Sequence, residues 1–202
     1  MKSFLPKFSL LLFLIILGNS CANYKINIAP EAASWADNQP PTDIALKHRM
    51  YLVGDAGNAQ LGETTTVLKY LKSQLEKEGE NSTILYLGDN IYPDGMPGKE
   101  SDERELAEHR LMTQLEILDD FKGKPIFMPG NHDWRHGLKG LAREEKFVNK
   151  YLNKGIEDDD DWESYFLPEG GCPGPEVLEI NNQLVVIVVD SQWWLADWDK
   201  EP

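Results

Sequence analysis

Apolar and polar positions along this chain follow two rhythms in turn. Short apolar runs, Met50 to Val53, Thr83 to Leu87 and Pro125 to Met128, each lead into a glycine-bearing turn. Between and after them leucine and valine recur every three or four positions, the spacing of one helix face. Val67, Leu68, Leu71 and Leu75 mark the first such segment. Leu106, Leu111, Leu115 and Leu118 mark a second, in a helix starting near Ser101, and a third helix runs from about Leu138 to Asn153. A short buried strand, a loop and an amphipathic helix, met three times, predict an α/β fold with a parallel sheet whose strand-ending loops share one edge. Ligands bind at such an edge.

Beyond Gly155 the pattern changes to an acidic loop, Glu157 to Asp161, and a turn-rich stretch, Gly170-Gly171-Cys172-Pro173-Gly174-Pro175. Two strands then flank an Asn181-Asn182 turn. The second, Leu184 to Val189, is apolar at every position, which predicts a central strand covered on both faces, and it ends at Asp190. Ahead of the ordered region, residues 23–47 carry Pro30, Pro40 and Pro41 without periodicity and read as a linker or irregular extension.

Residues 1–22 read as a signal peptide: Lys2 and Lys7 precede an unbroken apolar run from Leu10 to Leu17, closed by Gly18, Asn19 and Ser20. The run is shorter than the roughly 20 apolar residues of a spanning helix. The chain is therefore expected to be exported, to the periplasm, outer membrane or surface of a bacterium. Two N-termini are open: cleavage before Asn23, or a lipidated Cys21 that attaches the protein to a membrane. Either way Cys172 has no cysteine partner, and no intramolecular disulfide is expected. The organisation is a leader at 1–22, an extension at 23–47 and a folded domain at 48–202.

Charge narrows the function classes. With 20 Lys and Arg against 34 Asp and Glu the formal charge is −14, and no basic cluster appears along the chain, which argues against nucleic acid as a partner. An anionic substrate would need local positive charge, which bound cations can provide.

The chemistry lies in the three loops that end the strands. They read Gly54-Asp55-Ala56-Gly57, Gly88-Asp89-Asn90-Ile91-Tyr92 and Gly130-Asn131-His132-Asp133. One Gly-Asp after a strand is an ordinary turn. Three in succession predict carboxylate and amide oxygens converging at one sheet edge, a cage of hard donors for divalent or trivalent cations.

These motifs resemble, in order and spacing, those of the calcineurin-like metallophosphoesterases. Gly57 stands where most of that superfamily has histidine, and Tyr92 lies three residues after Asp89, as in the purple acid phosphatase group. The resemblance implies an α/β fold, the N-terminal half of a four-layer α/β/β/α sandwich with mixed sheets. It implies two metal ions, Fe(3+) with Fe(2+), Zn(2+) or Mn(2+). Asp55 and Tyr92 would bind the first ion, Asp89 would bridge both, and Asn131 would bind the second. The substrate would be a small phosphoester, a phosphomonoester first, attacked by metal-activated water. His132 is the candidate to protonate the leaving oxygen, and Asp133 the candidate to orient an imidazole.

Asn58, Asn90 and His136 are further candidates for substrate contact, with turn closure the simpler role for the asparagines. Asp190 is read as a cap that can also line the site. Trp134, Trp193, Trp194 and Trp198 are read as core or interface. Complete members of the family add three histidines from later motifs, whereas the four histidines here all precede residue 137. The expectation is a C-terminally truncated domain whose missing half is its natural partner, and which binds metal poorly alone. The alternative is a non-catalytic, phosphoesterase-like binding or assembly domain of a surface protein.

Overall fold

The computed structural model describes residues 29, 30, 34 and 44–195. The leader, Cys21, most of the 23–47 extension and Trp198 lie outside the described residues. The chain divides into two units, residues 1–45 and 46–202, and the elements below all belong to the second.

Strands β1 (Arg49–Val53), β2 (Ser82–Tyr86) and β3 (Lys124–Phe127) form a parallel sheet in the order β1-β2-β3. Helix α1 (Thr66–Leu75) connects β1 to β2, helix α2 (Arg104–Leu115) connects β2 to β3, and helix α3 (Gly137–Leu152) follows β3. The period of two along each strand divides its side chains between two faces. Ile84, Tyr86 and Phe127 meet Leu68, Leu75, Leu111, Leu115, Leu141 and Val148 of the helices in one apolar core. Tyr86 and Phe127, paired in register across β2 and β3, stack with ring centroids 4.2 Å apart.

Each helix starts for a local reason. Thr65 caps α1, its hydroxyl accepting from the Leu68 N–H at 3.3 Å. The second helix begins at Arg104, later than Ser101, because Ser101 is engaged in a turn with the Ser101 N–H on the Gly98 carbonyl. A 3-10 turn, Asp133–His136, runs directly into α3, whose first residue, Gly137, has φ 59°.

On the other face Leu85 and Ile126 pack against Leu167 and Val188. Val188 belongs to an antiparallel hairpin, β4 (Glu176–Asn181) and β5 (Leu184–Val188). The Asn181 side chain accepts from the Gln183 N–H at 2.9 Å and closes the turn between them. The layers are helices, parallel sheet and hairpin, a mixed α/β arrangement.

Two expectations about burial are corrected. The β5 strand is covered on one face only: Val188 is 1 % exposed, whereas Val185 and Ile187 are 51 % and 64 % exposed. Its apolar residues alternate in environment because Leu85, Ile126 and Leu167 pack on one face, and among the described residues the other face is exposed. In β1, Tyr51 and Val53 join the helical core while Leu52 is exposed, since the hairpin packs over β2 and β3.

After α3 the chain returns along the sheet. Phe166 bridges Phe127 in parallel, with the Phe127 N–H on Tyr165 O at 2.7 Å and the Leu167 N–H on Phe127 O at 2.8 Å. This short pairing was not legible as a strand, because only Tyr165, Phe166 and Leu167 are consecutive apolar residues there.

Candidate metal centre

Because the strands are parallel, the three loops leave the sheet together. Backbone bonds knit them: the Asp55 N–H donates to Gly88 O at 3.1 Å, the Gly57 N–H to Asp89 O at 3.1 Å, and the Tyr92 N–H to Gly57 O at 2.9 Å. Glycine permits this closeness. A Cβ on Gly57 would lie 2.2 to 2.5 Å from the Asn90 carbonyl group and the Ile91 nitrogen, so no larger residue fits this arrangement. Gly88 and Gly130 likewise pass backbone to backbone, a Cβ on Gly88 falling 2.6 Å from Gly130 Cα.

Two aspartates share an unusual backbone. Asp55 and Asp89 have φ of 58° and 54°, the left-handed region that costs a residue with a Cβ about 1–2 kcal/mol. They hold equivalent places in successive loops, and strain of this kind persists where the surroundings fix it, commonly at functional sites.

Their carboxylates converge on one phenol. The Tyr92 hydroxyl stands 2.5 Å from Asp55 Oδ1 and 2.8 Å from Asp89 Oδ2. One hydroxyl hydrogen cannot serve both oxygens at once. The hydrogen bond to Asp55, then burial, then the bond to Asp89 hold the phenol well above its ordinary pKa. Three oxygens sharing one proton make an electron-rich cluster that a cation would satisfy, and the donor set fits a hard ion.

The remaining predicted ligand is close by. Asn131 lines, with Asp55 and Asp89, a cavity of about 360 Å³, and the Asn131-His132 segment is tied to the second loop by the His132 N–H donating to Asp89 Oδ1 at 3.1 Å. Asp190, Ser191 and Gln192 also line the cavity. The His132 ring lies against Tyr92, centroids 4.4 Å apart, and its Nδ1 bonds to the Pro93 carbonyl. A carbonyl only accepts, so Nδ1 carries the hydrogen and Nε2 is the nitrogen left for other work.

Asp133 and Asn90 are corrections. The Asp133 carboxylate is buried and accepts from the backbone N–H groups of Gly130 at 2.7 Å, Ile91 at 3.0 Å and Asn90 at 3.2 Å. It ties the second loop to the third and orients no imidazole; the carbonyl of Pro93 does that for His132. Asn90 is 1 % exposed, its amide donating inward to Met128 O at 2.8 Å and Glu144 Oε1 at 3.2 Å, so it cannot reach a substrate. Asn58 and His136 are exposed, and neither lines the cavity with the aspartates. Asp190 caps the short helix α4 (Gln192–Leu195) through the Gln192 N–H at 2.9 Å and accepts from Trp134 Nε1 at 2.6 Å. Trp134 is fully buried, while Trp194 is 53 % exposed and so lies outside the core.

Several supporting residues escaped the sequence reading. Arg110 donates to Ala59 O at 3.0 Å and to Tyr92 O at 2.5 Å, joining the end of the first loop to the second. Gln114, one turn later, donates to Asn90 O at 2.7 Å. Glu144 lies fully buried between Leu141 and Val148 on the inner face of α3. Burial, then the charge of Asp133, pushes its carboxyl pKa well above the usual range, and burial likewise raises that of Asp133. The signal was present: Arg110, Gln114 and Glu144 all sit at helical spacing among leucines and valines, where a polar residue needs an internal partner.

The exposed trio Asp158, Asp159 and Asp160 also brings carboxylate oxygens together, but it lies in the solvated acidic loop. Among the described residues no helix is long and apolar enough to cross a membrane. A family model described as calcineurin-like phosphoesterase matches residues 35–198. No curated protein and no solved structure matches the chain.

Proposed function

Because this chain belongs to the calcineurin-like phosphoesterase family, we propose that it is a phosphomonoesterase that works with two cations held by Asp55, Asp89, Tyr92 and Asn131. At the level of the family the chemistry is metal-dependent hydrolysis of a phosphoester. The finer reading rests on one observation, the Tyr92 phenol set between the Asp55 and Asp89 carboxylates. A phenol so placed favours a trivalent first ion, iron(3+), with a divalent iron, zinc or manganese beside it. When bound, such a pair supplies the positive charge that draws the phosphoryl group and makes the attacking water acidic enough to ionise near neutral pH.

The chain's own residues do the rest. Loop backbone bonds fix the main chain at Asp55 and Asp89, and the Tyr92 hydroxyl and the His132 N–H hold their carboxylates near one another, which limits the reorganisation needed to receive a ligand. With Nδ1 committed to Pro93 O, the His132 imidazolium can pass the Nε2 proton to the departing alkoxide, and the Tyr92 ring steadies the imidazole plane. Asp133, Asn90, Arg110 and Gln114 are positioning residues that keep the first three loops in register. The leader before Asn23 supports export, with Cys21 lipidation as a route to a membrane surface.

The test is hydrolysis of p-nitrophenyl phosphate by the protein as its gene encodes it, supplied with iron and zinc or manganese. Asp89→Asn should abolish turnover, and His132→Ala should lower it by about 10²-fold or more. Unchanged turnover in Asp89→Asn, or no hydrolysis by the metal-loaded wild-type protein, would overturn the reading in favour of a binding or assembly role.

A further inference from the structure

Along the chain no basic cluster appears, but folding makes one. A groove of about 560 Å³ lies between α2 and α3, with Lys99, Arg104, Arg143, Lys146, Lys150 and Lys154 in its lining and Glu108 the single acidic residue there. It shares no residue with the cavity of the metal centre. In a chain of net charge −14 this grouping runs against the overall field.

The groove has the marks of a formed site. Lys146 and Lys150 stand one turn apart on one face of α3 and Lys154 follows in the turn just past its end, so like charges gather along one wall of the groove, which an anion would relieve. Arg143, Phe147 and Tyr151 repeat beside them at the same spacing and bring an apolar floor, to which Met112 of α2 adds. Both guanidiniums are already anchored: Arg143 donates to Met96 O at 2.8 and 3.1 Å, and Arg104 to Pro97 O at 2.7 Å. Burial, then the nearby Arg104 charge, lowers the Arg143 pKa.

Some of this charge is answered and some is not. Arg104 pairs with Glu108 at 2.7 Å, Lys154 with Asp119 at 3.3 Å, and Lys146 stands 4.0 Å from Asp159 at the rim. Lys154 also covers the Tyr151 ring, 3.4 Å from its centroid, which fixes that ring. Among the described residues, Lys99 and Lys150 have no ion pair or hydrogen bond, and Arg104 Nη2 and Arg143 Nη1 remain undonated.

We propose that this groove binds a small organic anion with several negative charges and a flat apolar body, the chemistry of a nucleoside triphosphate. The volume is that of a small-molecule site. Lys146 and Lys150 on α3, with Lys154 just past its end, match a chain of phosphates, and the floor of Met112 and Phe147 accepts the ring. Arginine forks held by backbone carbonyls offer preset donors to phosphate oxygens.

The experiment is calorimetric titration of the full chain with ATP in EDTA, which silences the metal centre, and with inorganic pyrophosphate in parallel. ATP should bind, and pyrophosphate should bind about tenfold more weakly or worse, because it lacks a body for the apolar floor. Lys146→Glu with Lys150→Glu should weaken ATP by about tenfold or more, while Lys69→Glu with Lys77→Glu, an equal charge change on exposed sites outside the groove, should weaken it less than about twofold. No binding of ATP by the wild-type chain overturns the proposal. So do equal losses in the two double variants, pyrophosphate binding as tight as ATP, or binding to vesicles of anionic phospholipid without binding to ATP.

Discussion

The Tyr92 hydroxyl lies 2.5 Å from Asp55 Oδ1, although the two residues are 37 positions apart and belong to different loops. The contact exists because Gly57 lets the first loop lie against the backbone of the second, and because the Tyr92 N–H is fixed on the Gly57 carbonyl at 2.9 Å. A phenol held against two carboxylates is kept protonated by them, and a cation in the proton's place reverses that preference.

Tyr92→Phe therefore separates the phenol's chemistry from its ring. The iron-loaded protein should show a visible charge-transfer band, and the variant should lose it while keeping the wild-type far-ultraviolet circular dichroism. A visible band of unchanged position and intensity in Tyr92→Phe would exclude the phenol as an iron ligand.

Gly57→Ala tests the packing of the loops. Its Cβ would meet backbone atoms of Asn90 and Ile91, which cannot rotate away as a side chain could. Overpacking of a tight site costs about 1–3 kcal/mol, and here the upper part of that range is expected as a lower urea midpoint at unchanged m-value. A midpoint equal to that of the wild type would mean that the two loops do not touch at Gly57 in solution.

Glu144 gives a pH dependence of stability. Its folded pKa is raised by burial above the unfolded value of about 4.3, and Oε2 has no hydrogen-bond partner among the described residues. The folded chain then retains a proton that the unfolded chain loses, so this group's contribution to stability falls as pH rises upward from the ordinary glutamate range. Wild-type stability should thus decline as pH rises above the ordinary glutamate range, and Glu144→Gln, of the same shape and without the titration, should reduce that decline. Parallel declines in urea titrations of both proteins would assign the effect elsewhere.

What the sequence by itself determined is the set of local features. Apolar runs that end in glycine, helical spacing of leucines and the turn chemistry of Gly-Asp and Gly-Asn are all properties of neighbouring residues. They place β1 to β3, α1 to α3 and the three loops within a few positions of where they lie. They also single out Asp55, Asp89 and Asn131, which line one cavity.

Only the tertiary structure decided which way each loop side chain serves. Asn90 and Asp133 stand beside candidate ligands in the chain yet turn inward, because the loops' own N–H groups need buried acceptors and Met128 O and Glu144 need a donor. Single coverage of β5 depends on what packs over it, not on its composition. The basic groove depends on two helices meeting, since its cations run from Lys99 to Lys154 with many acidic residues between them. Periodicity is written in neighbours a few positions apart; contact between distant segments is set by the summed packing of the whole core, and that sum cannot be read one residue at a time.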